Sequence, residues 1–238
     1  MNNIYSNSFR LRQKIEVVIQ ELMFAGGKLQ SHPQFADLYP EYLFTMHSMI
    51  RASVPLMESA QERAQAMADN DQVAAMVSTY LSKHIKEEMF HDDWLLDDLE
   101  VLGVKRDELL SRPPSPTVAS LVGSQYYWIQ HHHPVALLGY IAILEGYPPE
   151  TKQLEEMMAK TQYPREAFRT MFKHADLDPH HRDDLNRTLD QLPLLPEHHT
   201  ILGLSAIHTV DLASQAILEI IEPYSKNGNN SSSKGRAS

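Results

Sequence analysis

At 238 residues, 42% of them hydrophobic, the chain is long enough to bury a sizeable core as one large or two small domains. A formal charge of -10 argues against nucleic acid or an anionic membrane surface as its main partner. The absence of cysteine excludes disulfides, thiolate-bound zinc, iron–sulfur clusters and a cysteine nucleophile, whereas 13 histidines are many for this length.

The first residues, Met1-Asn2-Asn3-Ile4-Tyr5, lack the basic start and apolar core of a signal peptide. No stretch reaches the roughly 20 apolar residues of a membrane span, and a cytoplasmic location is the default expectation. Residues 8–25 read as an amphipathic helix, with Leu11, Ile15, Val18, Ile19 and Leu22 at helical spacing, stopped by Gly26-Gly27. A loop with Pro33 and Pro40 leads to a second helix over about 41–68, kinked at Pro55. Asp69-Asn70-Asp71 can cap the next helix, about 71–101, which ends at Gly103. After the break Ser111-Arg112-Pro113-Pro114-Ser115-Pro116, a helical pattern spans about 117–145, interrupted near Pro134 and stopped at Gly146. Shorter helices follow at about 150–161 and 164–176, then one marked by Pro179 to about 191. The last, about 197–222, uses Ile201, Leu202, Ala206, Val210, Leu212 and Ile217 as its apolar side, and residues 223–238 read as a disordered tail. No alternating strand pattern, solenoid repeat or long polar linker appears. The expectation is a single all-α domain over 1–222, a bundle of the kind whose core commonly holds carboxylate–histidine metal sites.

Within the third helix, His84, Glu88 and His91 fall within roughly 60° of one another at about 100° per residue. The same stripe carries Val77 and Leu81 before them and Leu95 after them, so three polar side chains interrupt a core-facing apolar face. Lys83, Lys86 and Glu87 already supply the solvated face. Unpaired buried charge is too costly to persist, and a metal ion is the simplest partner for two imidazoles and a carboxylate. The bland alternative is a partly exposed face with a polar i,i+4 pair. His174, Asp178 and His181 repeat the spacing on the stripe of Ala167, Met171 and Leu185. Here the alternative is specific: Asp178 as N-cap of a new helix with Pro179 at its first position. A kinked helix reconciles the two. Glu145 closes the apolar run 136–144, where a carboxylate facing the negative end of the helix dipole wants a partner; otherwise it is an exposed last-turn residue. Asp98, one turn beyond the first patch, is placed to orient a ligand histidine. His131, His132 and His133 are consecutive and cannot share one helix face. His198, His199 and His208 read as surface or hydrogen-bonded histidines, and Tyr126, Tyr127 and Trp128 as core.

Three blocks, in order and spacing, carry a resemblance: His84-Ile-Lys-Glu-Glu-Met-Phe-His91-Asp-Asp-Trp-Leu-Leu-Asp-Asp98, then His133-Pro-Val-Ala-Leu-Leu-Gly-Tyr140 with Leu144-Glu-Gly146, then His174-Ala-Asp-Leu-Asp-Pro-His-His181. The chain resembles the heme-oxygenase-like iron-containing redox enzymes. These di-iron oxidases and oxygenases share a fold with TenA thiaminases and pyrroloquinoline-quinone synthase. The resemblance covers about residues 40–190. It implies a bundle of about seven helices around an iron site, with two ions of iron or a manganese–iron pair, and homodimerisation. It matches Glu88 and His91 to a Glu-x-x-His element, Glu145 to a lone glutamate, and His174, Asp178 and His181 to a His-x3-Asp-x2-His element. Some members carry a first carboxylate seven residues before the motif histidine, where this chain has His84. Others use a Glu from the preceding core helix, for which only Glu58 is available. The implied function is a non-heme, di-iron oxidase or oxygenase using O2 on a small molecule; the family's substrates are small amines, amino acids and fatty acids. The alternatives are a metal-free enzyme or a non-catalytic binding protein on the same fold. The cysteine-dependent thiaminase version is excluded, and neither His32 nor His47 sits in the context of a heme ligand.

Overall fold

The computed structural model describes residues 5–230. Among them lie eleven α-helices and two 3-10 turns, with no strand. Nine helices have at least 11 residues, against about seven expected; the two short ones are α6 (Arg106–Ser111) and α8 (Leu137–Leu144).

Side-chain caps start helices where the sequence provides them. Ser6 accepts from the Phe9 amide at α1 (Asn7–Ser31), Asp71 from Ala74 at α4 (Gln72–Glu88), and Ser115 from Val118 at α7 (Pro116–His131). Other boundaries differ from expectation. α1 runs through Gly26-Gly27 to Ser31, because burial of Ala25 and Leu29 holds its last turns despite glycine's poor propensity. The expected kinked helix over 41–68 is two helices, α2 (Phe35–Ile50) and α3 (Ser53–Met67), divided at Arg51-Ala52. Pro55 lies in the first turn of α3, where a missing amide is harmless, and Pro40 lies inside α2, where the Tyr163 hydroxyl takes up the carbonyl of Ala36. The stretch expected as one helix over 71–101 breaks at Met89-Phe90 into α4 and α5 (His91–Val101). α10 (Arg169–Gln191) does the reverse, running unbroken through Pro179 where two helices were expected. α9 (Thr151–Thr161) falls where predicted. α11 (Pro196–Asn230) continues through Pro223 into the segment read as a tail, whose remainder, 231–238, lies outside the described residues.

The apolar faces form two clusters. One joins the first half of α1 to α3, α4, α7, α8 and α11; the other joins the end of α1 to α2, α5 and α9. α10 belongs to both, with Leu185 and Leu189 in the first and Met171 and Ala175 against the second. Its stretch 174–181 therefore lies at the seam, where α4 ends and α5 begins. α8, apolar on all sides, is buried from Leu137 to Ile143. So short a helix is marginal alone; burial worth about 2 kcal/mol per large apolar side chain holds it. Gly139 lets it lie directly on α11, since a Cβ there would strike the Leu202 carbonyl oxygen. Contrary to expectation, Pro196–Pro223 is long and apolar enough to cross a membrane by length and composition. Its apolar side is used as core: 56% of the window is buried inside the protein, in contact with α1, α7 and α8.

Candidate metal centre

Four helices bring polar side chains to the seam. α4 carries His84 and Glu88 on the buried stripe of Val77 and Leu81. The chain then turns at Phe90, whose φ of 70° is left-handed and costs a residue with a Cβ about 1–2 kcal/mol. α5 begins at once with His91. The sequence reading put His84, Glu88 and His91 on one helix; the structure divides them between two, and the strained joint leaves His91 Nδ1 3.0 Å from Glu88 Oε2. Glu145 is the C-cap of α8, in a tight corner where Arg12 donates to the Ala142 carbonyl. A Cβ on Gly146 would strike both that oxygen and the guanidinium. α10 supplies His174, Asp178 and His181 on one stripe. Asp178 is thus a mid-helix residue and caps no new helix; Pro179 merely removes one amide.

The seven side chains form two groups joined by Glu88. In the first, His84 Nε2 lies 2.8 Å from Glu145 Oε1, and His181 Nδ1 lies 3.6 Å from Glu145 Oε2. In the second, His174 Nδ1 lies 3.0 Å from Asp178 Oδ1, and the His91 and His174 rings meet edge-on with centroids 5.1 Å apart. Glu88 faces both groups, Oε1 3.2 Å from His181 Nδ1 and Oε2 3.0 Å from His91 Nδ1. All but His174 are buried.

Five ligand-type atoms here are buried without a well-aligned hydrogen bond: Glu88 Oε1, Glu145 Oε2, His91 Nδ1, His174 Nε2 and His181 Nδ1, of which all but His174 Nε2 lie 3.0–3.6 Å from another acid or imidazole of the cluster. Buried polar atoms are nearly always satisfied. Unmet carboxylate oxygens and imidazole nitrogens converging from four helices are what a divalent first-row metal would satisfy, and the set fits iron or manganese.

Burial and charge oppose each other across the cluster. Burial, then Glu88 and Asp178, push the Glu145 carboxyl up to about 7 against the pull of His84. Burial also raises Asp178, with His174 opposing. At His84, burial works against the imidazolium, but Glu145 and Glu88 outweigh it and raise the group to about 9. Asp178 likewise overcomes burial to raise His174, whereas burial prevails at His181 and lowers it. At Glu88, burial is overcome by His91, His174 and His84, which hold the carboxyl below its usual range. Metal binding at such a site displaces protons.

Two aromatic rings brace the imidazoles: Tyr80 stacks on His84 at 5.2 Å and Trp94 on His91 at 3.9 Å. Sequence reasoning missed both, although Tyr80 stands one turn before His84 and Trp94 three residues after His91. Glu87, read as solvated, places Oε2 3.5 Å from His84 Nδ1. Glu58 is exposed on α3 and takes no part. Asp98 is buried, but its Oδ2 accepts from the Thr170 amide in the first turn of α10 and orients no ligand histidine. Tyr126 and Tyr127, expected in the core, are exposed. At the other end of α4, Asp71, His133 and His198 form a second acid–imidazole cluster that the sequence did not suggest. A cavity of about 290 Å³ adjoins Glu88, Glu145, His174 and Asp178, its walls largely apolar.

The same fold occurs in solved structures of low sequence identity. A domain of unknown function with a heme oxygenase-like fold from Shewanella denitrificans OS217 superposes with a TM-score of 0.80 at 16% identity, covering 99% of this chain and 100% of that one. A TenA homologue from Pseudomonas syringae pv. tomato DC3000 reaches 0.64 at 13% identity, covering 90% of each chain. A CADD-like protein of unknown function from Nostoc punctiforme PCC 73102 reaches 0.64 at 17%, covering 90% of this chain and 98% of that one. No curated protein matches the chain by sequence. The profile of the family described as iron-containing redox enzyme matches residues 57–206, a span that contains every residue of the cluster, and the chain belongs to that family.

Proposed function

We propose that the protein is a non-heme di-iron oxidoreductase that uses O2 on a small-molecule substrate. The observation that carries this reading is Glu88, whose two oxygens face different groups of ligands, His84, Glu145 and His181 on one side and His91, His174 and Asp178 on the other. A carboxylate so placed suits two cations side by side. When bound, iron supplies the redox chemistry with O2 that side chains lack. The chain's own residues do the remaining work. Tyr80 and Trp94 fix the planes of two ligand imidazoles, and Arg12 with Gly146 fixes the corner that carries Glu145. Met46, Met49, Leu95 and Ile141 give the adjoining cavity apolar walls.

Anaerobic titration of the metal-free protein with Fe(II), followed by O2 exposure, tests this. The expected result is about two ions per chain and iron-dependent O2 uptake. Binding of a single ion overturns the di-iron assignment, and absence of stoichiometric binding favours a metal-free enzyme or binding protein on this fold.

A further inference from the structure

We infer that the substrate has one polar head and an uncharged apolar tail, and that Gly26 and Gly27 in α1 leave room for the far end of that tail. The inference rests on the proposed function, which places the head at the ligand cluster. The cavity is lined by Glu88, Glu145, His174 and Asp178, by Met46, Met49 and Met57, and by Met23, Gly26 and Gly27. Arg12 reaches the corner that carries Glu145, and Gly26 stands about 20 Å further along α1. Among the described residues, no lysine or arginine lines it, and every lining carboxylate or histidine belongs to the cluster. A second charge on the tail would lie unpaired against apolar walls. An alkyl or aryl chain gains from burial there, and flexible methionine side chains adapt to its shape.

The two glycines stand inside α1, where alanine would be the more stable residue. Their backbone does not require glycine, since neither has a positive φ. Packing does not require it either: a Cβ on either would meet nothing within 4 Å. Both nevertheless line the cavity, and Gly27 and Met23 are also exposed, which puts them at its mouth. On the same rim the Gln153 side-chain amide donates to Gln30 Oε1 at 2.9 Å, joining α9 to α1. A side chain at 26 or 27 would fill space at this end of the cavity without touching the ligand cluster or the core.

The test is calorimetric titration of the full chain with straight-chain primary amines from hexyl to dodecyl, with and without Fe(II) under anaerobic conditions. Wild-type protein should bind decylamine at least about tenfold more tightly than hexylamine, and the hexyl diamine, whose second amine would stop among the apolar walls, about tenfold more weakly than hexylamine. Gly26→Leu and Gly27→Leu should weaken decylamine about tenfold, change hexylamine less than about twofold, and leave iron stoichiometry unchanged. Both variants should melt no lower than wild type, because leucine is the better helix former. Equal losses for both amines, no loss for either, or a hexyl diamine that binds as hexylamine does would overturn the inference. Protein that takes up no iron yet sorts the amines by length would sustain it while removing the iron chemistry proposed above.

Discussion

At its N-terminal end α4 meets Asp71, His133 and His198; at its C-terminal end it meets the candidate ligands of α5, α8 and α10. Both ends gather carboxylates and imidazoles from distant segments. Their hydrogen bonding separates them. Asp71 Oδ1 accepts from the Ala74 amide and its Oδ2 lies 3.2 Å from His133 Nε2. His133 Nδ1 accepts from the Val135 amide and His198 Nδ1 from the Leu195 amide. A neutral imidazole that accepts at Nδ1 carries its proton on Nε2, so that nitrogen has no lone pair to give a metal. No polar atom of these three residues is buried without a well-aligned hydrogen bond. The C-terminal cluster has five such atoms, from Glu88, His91, Glu145, His174 and His181. Convergence of acid and imidazole is therefore common to a helix joint and a metal centre, and unmet lone pairs tell them apart.

Mutation gives the sharpest contrast. Glu88→Ala should lower Fe(II) affinity by more than the roughly 10–100-fold that loss of a supporting residue costs, whereas Asp71→Ala should leave iron stoichiometry unchanged. Metal analysis of both purified variants decides it, and an Asp71→Ala protein stripped of iron would erase the distinction. Metal removal comes next. Iron present at about 100 times its dissociation constant should stabilise the wild type by about 2.7 kcal/mol and Glu88→Ala far less, as calorimetric melting would reveal.

Acidity should probe the same site more gently. His84 is raised to about 9 by Glu145 and Glu88 against its burial, so below that value a proton must leave before iron can enter. Fe(II) affinity should fall about tenfold for each unit the pH drops below about 9, for one displaced proton. Binding that is flat between about pH 6 and 8 would show that His84 is not a ligand. The smallest effect belongs to the joint: Asp71→Ala should cost about 1 kcal/mol as a lost cap, or roughly 2–4 °C of melting temperature in a chain of this size.

Seven candidate ligands were legible in the sequence because each lies on, or at the end of, an apolar stripe; on α10 that period survives in the fold, whereas between Glu88 and His91 it breaks at Phe90. The means of bringing them together were not. Nothing local announces that Phe90 will adopt a left-handed backbone between Glu88 and His91, since the joint is imposed by packing α5 against α2 while α4 packs against α3. Gly26-Gly27 and Pro179 read as stops because intrinsic propensity is all a sequence window offers, and burial of Leu29 and Leu185 on their respective helices overrode it. The pairing of Asp71 with His133, 62 residues apart, left no periodic trace at all.

Glu145 meets His84 across 61 residues of chain, and His181 follows later still. A chain emerging from the ribosome thus displays His84, Glu88 and His91 well before α10 exists to close the cluster around them. On the proposed reading, iron offered during synthesis would find three of the seven candidate ligands, on helices that have not yet docked. On that reading, loading belongs to the finished chain, after long-range contacts that form more slowly than any single helix. Any truncation ahead of α10 would leave helices able to form but no centre for them to hold.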